Sequence, residues 1–344
     1  MLFAALVVWS PQVSLAAPPS QVEVAITLHA DLSTSEHTIS VVEKATSKVL
    51  ASSCSNTLKG GSFAGNAIEV TFDDEANGNI TIGSTTYKIH GDAEFSGGIV
   101  CNRIYNKKEV FITCDATMPG EVALEHKLNE RASDCLKIAK RNNNGPNLAD
   151  IAQGHADFNT SPMLARDVNI TAIEKPKPLP RQMAACMGWG TEWGLIGDGN
   201  PHQNSFSKQL SSKMQCGNAD SCTVGQSNSL SYTIGYSVTF NFGAFYSGGF
   251  SVSETWTTGN NYGCGGHAGE TLCLWYNTGF TAYTAQRYTV NTWCNIRHFE
   301  GKGIFFSPND GNKNGIDYYC VLGKDYCREQ GAGYWIKEGR AGGP

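Results

Sequence analysis

Cysteine is the residue type with the most chemistry to offer in this 344-residue chain, which carries twelve. Cys54, Cys101, Cys114 and Cys135 precede the dibasic pair Lys140-Arg141, and Cys186, Cys216, Cys222, Cys264, Cys273, Cys294, Cys320 and Cys327 follow it. No two stand in a C-x-x-C spacing. Zinc sites usually present such close pairs, so the pattern points to disulfides and an oxidising compartment. Lys140-Arg141 leads into Asn142-Asn143-Asn144-Gly145-Pro146, a turn-rich stretch where a protease could bind extended chain. A cut there leaves an even number of cysteines on each side. The chemistry expected of Lys140 and Arg141 is therefore proteolytic processing of a precursor.

Other chemistry is thinly supplied. The chain has no G-x-S-x-G elbow, no H-E-x-x-H and no phosphate loop. Glu192 and Asp198 form a candidate glycosidase-type carboxylate pair, whose competence rests on their separation in space. No catalytic residue is assigned. The segment from Asp310 to Asp317 has oxygen side chains and a glycine spaced like the first half of a calcium loop. Its twelfth position is Val321 and Lys313 adds a positive charge, so an Asn/Gly turn is the better account and no metal or cofactor is expected.

Recognition by stacking has more material. Trp189, Trp193, Trp256, Trp275, Tyr276, Trp293 and Trp335 could offer faces to a glycan, with Asp198, Asn200, His202 and Asn204 nearby as polar partners. The same aromatics would serve as core. The set carried forward as ligand-binding is Trp193, Asp198, Asn200, His202, Trp256 and Trp275. Sequons at Asn79, Asn159 and Asn169 are glycosylation acceptors, the second weakened by Pro162. A net charge of −5 leaves no footprint for nucleic acid.

The elements that would position these residues are mostly strands. Residues 1–17 read as a signal peptide, with an apolar core from Leu2 to Trp9 and a small-residue cleavage context at Ser14-Leu15-Ala16, although a basic start is missing. Residues 18–141 read as a β-rich module. Val22, Val24, Ile26 and Leu28 alternate, and Gly83-Ser84 separates two strands of a hairpin. Val122, Leu124, Leu128, Leu136 and Ile138 suggest a helix closing that module. Residues 142–181 read as a proline-rich linker.

Residues 182–344 read as a second β module holding six of the seven tryptophans. Its strongest pattern is Leu230, Tyr232, Ile234, Tyr236, Val238, Phe240 and Phe242 alternating with Ser231, Thr233, Gly235, Ser237, Thr239 and Asn241. With Phe250, Val252 and Trp256 this predicts a long hairpin. No charge falls between Leu230 and Phe250. A pore-forming hairpin needs that character, since lipid meets one face and water the other. A half-buried strand of an antiparallel sandwich needs the same alternation and is the plainer reading.

Three blocks add a resemblance. Trp193 to Asn204, Ser253 to Asn260 and Cys273 to Thr278 are similar to blocks in secreted cysteine-rich, effector-like proteins of filamentous fungi. The resemblance covers most of the second module. It implies secretion and cutting by a kexin-type protease after Arg141, with a host- or competitor-directed role, and it brings no catalytic residues. The expectation is a mainly β protein of two disulfide-stabilised, sandwich-like antiparallel modules. The first would be a pro-domain. The second, released outside the cell, would bind a glycan or host protein. A membrane target through the hairpin is the first alternative, and a secreted glycoside hydrolase the second.

Overall fold

The structure, a computed structural model, describes residues 21–123, 145–160, 188–196 and 201–336. The expected first strand forms where the apolar residues alternate. Strand β1 (Gln21–Asp31) buries Val24, Ile26 and Leu28 on one face, as a period of two requires. It pairs antiparallel with β2 (Glu36–Glu43), and β2 pairs with β3 (Lys48–Ser53). Four strands, β4 (Thr57–Leu58), β5 (Ile68–Phe72), β6 (Gly78–Ile82) and β7 (Thr85–Lys88), make a smaller sheet. The expected hairpin at Gly83-Ser84 joins β6 to β7, and Gly83 takes φ 60°, which favours glycine. A one-turn helix, α1 (Ala93–Ser96), leads to β8 (Val100–Tyr105) and β9 (Glu109–Pro119). Strand β9 lies between β8 and β1. Cys101 and Cys114 face each other across β8 and β9 and are disulfide-bonded.

The sequence between the two expected modules departs from a plain linker. Residues 148–160 form helix α2 (Leu148–Thr160). Leu148, Ile151, Ala152 and His155 are buried at i, i+3, i+4 and i+7, the spacing of one helical face. Asn147 and Asp150 cap its start reciprocally: Asp150 N donates to Asn147 Oδ1, and Asn147 N donates to Asp150 Oδ2. The helix expected from Val122 to Ile138, the dibasic pair and the proline-rich stretch fall outside the described residues, apart from Val122 and Ala123 in a short 3-10 turn.

The later strands are β10 (Trp189–Leu195), β11 (His202–Gln209), β12 (Met214–Gln215), β13 (Ser221–Val224), β14 (Thr233–Gly235), β15 (Ser237–Val238), β16 (Thr255–Thr257) and β17 (Cys264–His267). They are followed by β18 (Thr271–Asn291), β19 (Ile296–Pro308), β20 (Asp317–Leu322) and β21 (Gly333–Trp335). The two separate β signals near Leu272 and Tyr283 belong to one strand. At 21 residues, β18 is about 70 Å long by the usual rise. Strands β12, β11 and β10 pair in turn along one edge of it, and β20 and then β19 along the other.

The two halves share one sheet. Strand β20 pairs β18 on one side and β8 on the other, which extends the order β15-β19-β18-β20-β8-β9-β1-β2-β3 across the molecule. One core runs through both halves, from Val24, Ile39 and Ile112 to Leu272, Leu274 and Leu322. A second gathers Ile104 and Phe111 with Leu148, Ile151, Trp275, Tyr319 and Tyr334 around α2. The expected first and second modules are thus joined edge to edge, β8 of one pairing with β20 of the other. Disulfides Cys264–Cys320, Cys273–Cys327 and Cys216–Cys222 cross-link the second half, and Cys54 and Cys294 are also disulfide-bonded. The protein is thus a mainly β, antiparallel, disulfide-rich fold suited to an oxidising environment.

Candidate functional site

The uncharged alternating segment does not form the expected thirteen-residue strand. Within it only Thr233–Gly235 and Ser237–Val238 are strand, and β14 pairs with β16 through Thr233↔Thr257, Ile234↔Trp256 and Gly235↔Thr255. Above this base the two limbs part. The outgoing limb lies on the edge of β19, with Ser237 opposite Phe306 and Val238 opposite Phe305, and Thr239 N donates to Ile304 O at 3.0 Å. The returning limb runs past the end of the same strand: Ser253 N donates to Pro308 O, Asp310 N donates to Ser251 O, and Val252 bridges Asn309. Residues 230–258 therefore form an arm folded against the sheet. It separates because β19 offers an unpaired edge and an apolar face that the limbs cannot offer each other at once.

The arm's aromatic side chains fill that face. Phe242 stacks on Phe305 at 5.3 Å and Phe250 packs on Tyr283 at 4.9 Å, while Tyr246 stacks on Trp193 at 5.1 Å. Such ring pairs contribute roughly 0.5–1.5 kcal/mol each beyond their burial. Phe240 lies over Gly301 and Gly303. A Cβ on Gly303 would come within 2.7 Å of Phe240 Cβ, so the two glycines leave a slot for the ring. Polar clamps hold the same surface. Arg287 donates to the Phe242 carbonyl and is paired with Glu300 at 2.9 Å. Tyr283 Oη donates to Tyr246 O at 2.7 Å. Burial raises the Tyr283 phenol to about 12, partly offset by its hydrogen bond to Ser307, so it stays a donor at neutral pH.

At the base the hold is a relay. Trp256 Nε1 donates to Tyr276 Oη, and Tyr276 Oη donates to Asp317 Oδ1. Tyr318 Oη donates to Thr258 O. Burial and the Asp317 carboxylate push the Tyr276 phenol up, although its bond from Trp256 opposes this, so the relay keeps its protons. Beside the base, Tyr236 N donates to Glu254 O, and the Tyr236 phenol is raised by burial and by the Glu254 carboxylate. Glu254 is the one charged residue from position 221 to 258.

The outgoing limb runs antiparallel to β19, so it advances from Phe306 toward Gly301, and its turn reaches Arg287 on β18. Beyond lies the turn joining β18 to β19, at the far end of the long strand. It carries Trp293, which is 88% exposed. Cys294 N donates to Asn291 Oδ1 within this turn, and Asn295 takes φ 49°. Phe299, also exposed, packs edge-on against Tyr288 at 5.5 Å, and Arg297 lies over the Tyr288 ring while pairing with Glu192 at 2.7 Å.

The residues expected to bind a ligand are dispersed. Trp275 is fully buried between α2 and β21, far along β18 from Trp193, which lies under the arm. Trp256 is half-buried at the arm's base and His202 half-buried on β11. Asp198 and Asn200 lie outside the described residues. The proposed partner of Asp198 in a carboxylate pair, Glu192, is engaged with Arg297. Asn79 is exposed on β6, Asn159 falls on α2, and Asn169, Cys135, Cys186, Lys140 and Arg141 lie outside the described residues.

The calcium-like segment is a structural turn. Asn312 is buried, accepts from Gly279 N and donates to Asn277 O and Asp317 Oδ1. Among the described residues no group of three His, Cys, Asp or Glu could hold a metal, and no helix is long and apolar enough to cross a membrane. The fold and site together define a disulfide-bonded antiparallel β protein that carries a folded-back arm with one charged residue, Glu254. The chain matches no known protein family, no curated protein and no solved structure.

Proposed function

We propose that this is a secreted protein that acts on membranes by releasing residues 230–258 from its sheet as an amphipathic β-hairpin. The observation that carries the reading is the register at the arm's base. Continued upward from Ile234↔Trp256, it sets Val238 against Val252 and Phe240 against Phe250 on one face. The same register sets Ser237 against Ser253 and Thr239 against Ser251 on the other. Each limb would have about 10 residues, the length a tilted strand needs to cross a bilayer. Closure of several such hairpins into a barrel would satisfy every backbone group, which an isolated hairpin in lipid cannot do. Contacts with Trp193, Tyr283 and Phe305 would be exchanged for lipid.

Cutting after Arg141 by a kexin-type protease belongs to this reading in altered form. The β8–β20 pairing and the shared cores support a nicked molecule whose halves stay together rather than a freed second module. Such a protein would suit the host- or competitor-directed role implied by its resemblance to fungal effector-like proteins.

Dye release from phosphatidylcholine vesicles tests the arm. Wild-type protein should release dye. Val238→Asp, which puts a charge on the lipid-facing row, should lower release about tenfold or more. Thr239→Asp, on the water-facing row, should retain it. Equal release by wild type and Val238→Asp would sink the proposal, as would no release by wild type.

A further inference from the structure

We infer that Cys294 is bonded to Cys186 and Cys54 to Cys135, so that no disulfide of the chain spans Lys140-Arg141. Eight of the twelve cysteines are paired among themselves, as Cys101–Cys114, Cys216–Cys222, Cys264–Cys320 and Cys273–Cys327. Cys54 and Cys294 are also disulfide-bonded, and not to each other. Cys54 follows β3 at the outer edge of the first half. Cys294 follows the end of β18 remote from that half: β20 meets β18 at Leu272 to Asn277, and the 14 residues from there to Asn291 span roughly 46 Å. A disulfide needs Cα atoms within about 7 Å. The partners are therefore Cys135 and Cys186. Both lie outside the described residues, so the choice between them rests on the described chain that leads to Cys186.

Register makes that choice. Strand β10 runs antiparallel to β18 with Trp189 opposite Asn291, and the same register continued sets Cys186 opposite Cys294. Gly188 already lies against the turn, where a Cβ would stand 3.6 Å from Trp293 Cδ1. The two residues from Gly188 to Cys186 reach no more than about 7 Å, so Cys186 stays beside this turn. The first half holds a bond of the same kind: Cys101 and Cys114 are directly opposite across β8 and β9, with Cα atoms 4.0 Å apart. Cys54 is then left to Cys135. Each bond forms as two thiols give up two protons and two electrons to an oxidising protein disulfide, which becomes a dithiol. Two bonds then lie before the dibasic pair and four after it. The inference takes the cut after Arg141 from the function proposed above, but the pairing does not depend on it. Once cut, the halves would be held by the β8–β20 ladder, the shared cores and the buried Arg103–Glu270 pair alone, a two-chain molecule with no covalent tie.

Mass spectrometry of the oxidised, uncut chain tests the pairing. After its thiols are blocked, trypsin releases each of these four cysteines in a peptide of its own: residues 49–59, 132–137, 182–208 and 288–297. Peptide 182–208 should be found linked to 288–297, and 49–59 to 132–137, both links being lost on reduction. A link between 132–137 and 288–297 would overturn the inference, as would blocked free thiols at these cysteines. Digestion of the full chain with a kexin-type protease reads the consequence. Two fragments should part on a denaturing gel without reductant. A cut product that stays one band until reductant is added would mean that a disulfide crosses the site. A chain that the protease leaves whole counts against the proposed processing, while the linked peptides still decide the pairing.

Discussion

The His155 imidazole lies among Trp275, Tyr319, Tyr326 and Tyr334, edge-on to the first at 4.8 Å and stacked on Tyr326 at 5.2 Å. Neither ring nitrogen has a hydrogen-bond partner among the described residues. Burial, reinforced by the Arg328 charge, pulls its pKa down to about 3. The unfolded chain takes up a proton near 6.5 while the folded one does not. Stability is therefore unpenalised above about pH 6.5 and falls by roughly 1.4 kcal/mol per unit as pH drops toward 3. Urea titrations of wild type and His155→Leu at several pH values should show a shallower acid slope in the variant. Equal slopes would mean that His155 finds a partner for its proton. The residue lies on α2, which the cysteine-free stretch 142–181 did not suggest. Its signal was the spacing of Leu148, Ile151, Ala152 and His155.

At the scale of the element, the arm is held by two unlike surfaces. Its base is a short two-stranded ladder locked through Trp256, Tyr276 and Asp317, and its limbs lie on the rim and face of β19. Glu254 stands at the boundary, opposite Tyr236 in the continued register and on the apolar row. Moving a charged carboxylate into lipid is unfavourable, so Glu254 should oppose release. Glu254→Gln is expected to speed dye release at neutral pH by a few-fold, read as the initial rate on phosphatidylcholine vesicles. A slower rate would mean that Glu254 assists rather than restrains the arm. The alternation of this segment was legible in the sequence. Its partner was not, because an apolar row specifies burial without specifying whether the other limb, the sheet or lipid supplies it.

For the whole molecule, the joint between halves is both backbone and charge. Arg103 on β8 and Glu270 just before β18 are almost fully buried and paired. Arg103 also donates to Asn77, and Glu270 accepts from His267 N at 2.9 Å. Removing one partner of such a pair typically costs about 3–5 kcal/mol, because the other is left charged in the interior. Protein cut after Arg141 should therefore elute from gel filtration as one species under non-denaturing conditions. The same cut in Glu270→Ala should yield a less stable complex, with a lower melting temperature. Separate elution of the wild-type halves would show instead that the first half is a dissociable pro-domain.

The sequence by itself determined the class: alternation set the faces of β1 and of the arm, Gly83-Ser84 set a hairpin, and twelve cysteines without metal spacing set disulfide chemistry. These are local properties, read from neighbouring residues along the chain. Which cysteines meet, which edges pair and which aromatics are covered were decided only in three dimensions. Cys101 meets Cys114 because β8 and β9 pair in that register, and Trp275 is buried while Trp293 is bare although both belong to one aromatic-rich module. The joining of the halves through β20 and β8 is likewise non-local, since an unpaired strand edge carries no mark in sequence of the partner that will satisfy it.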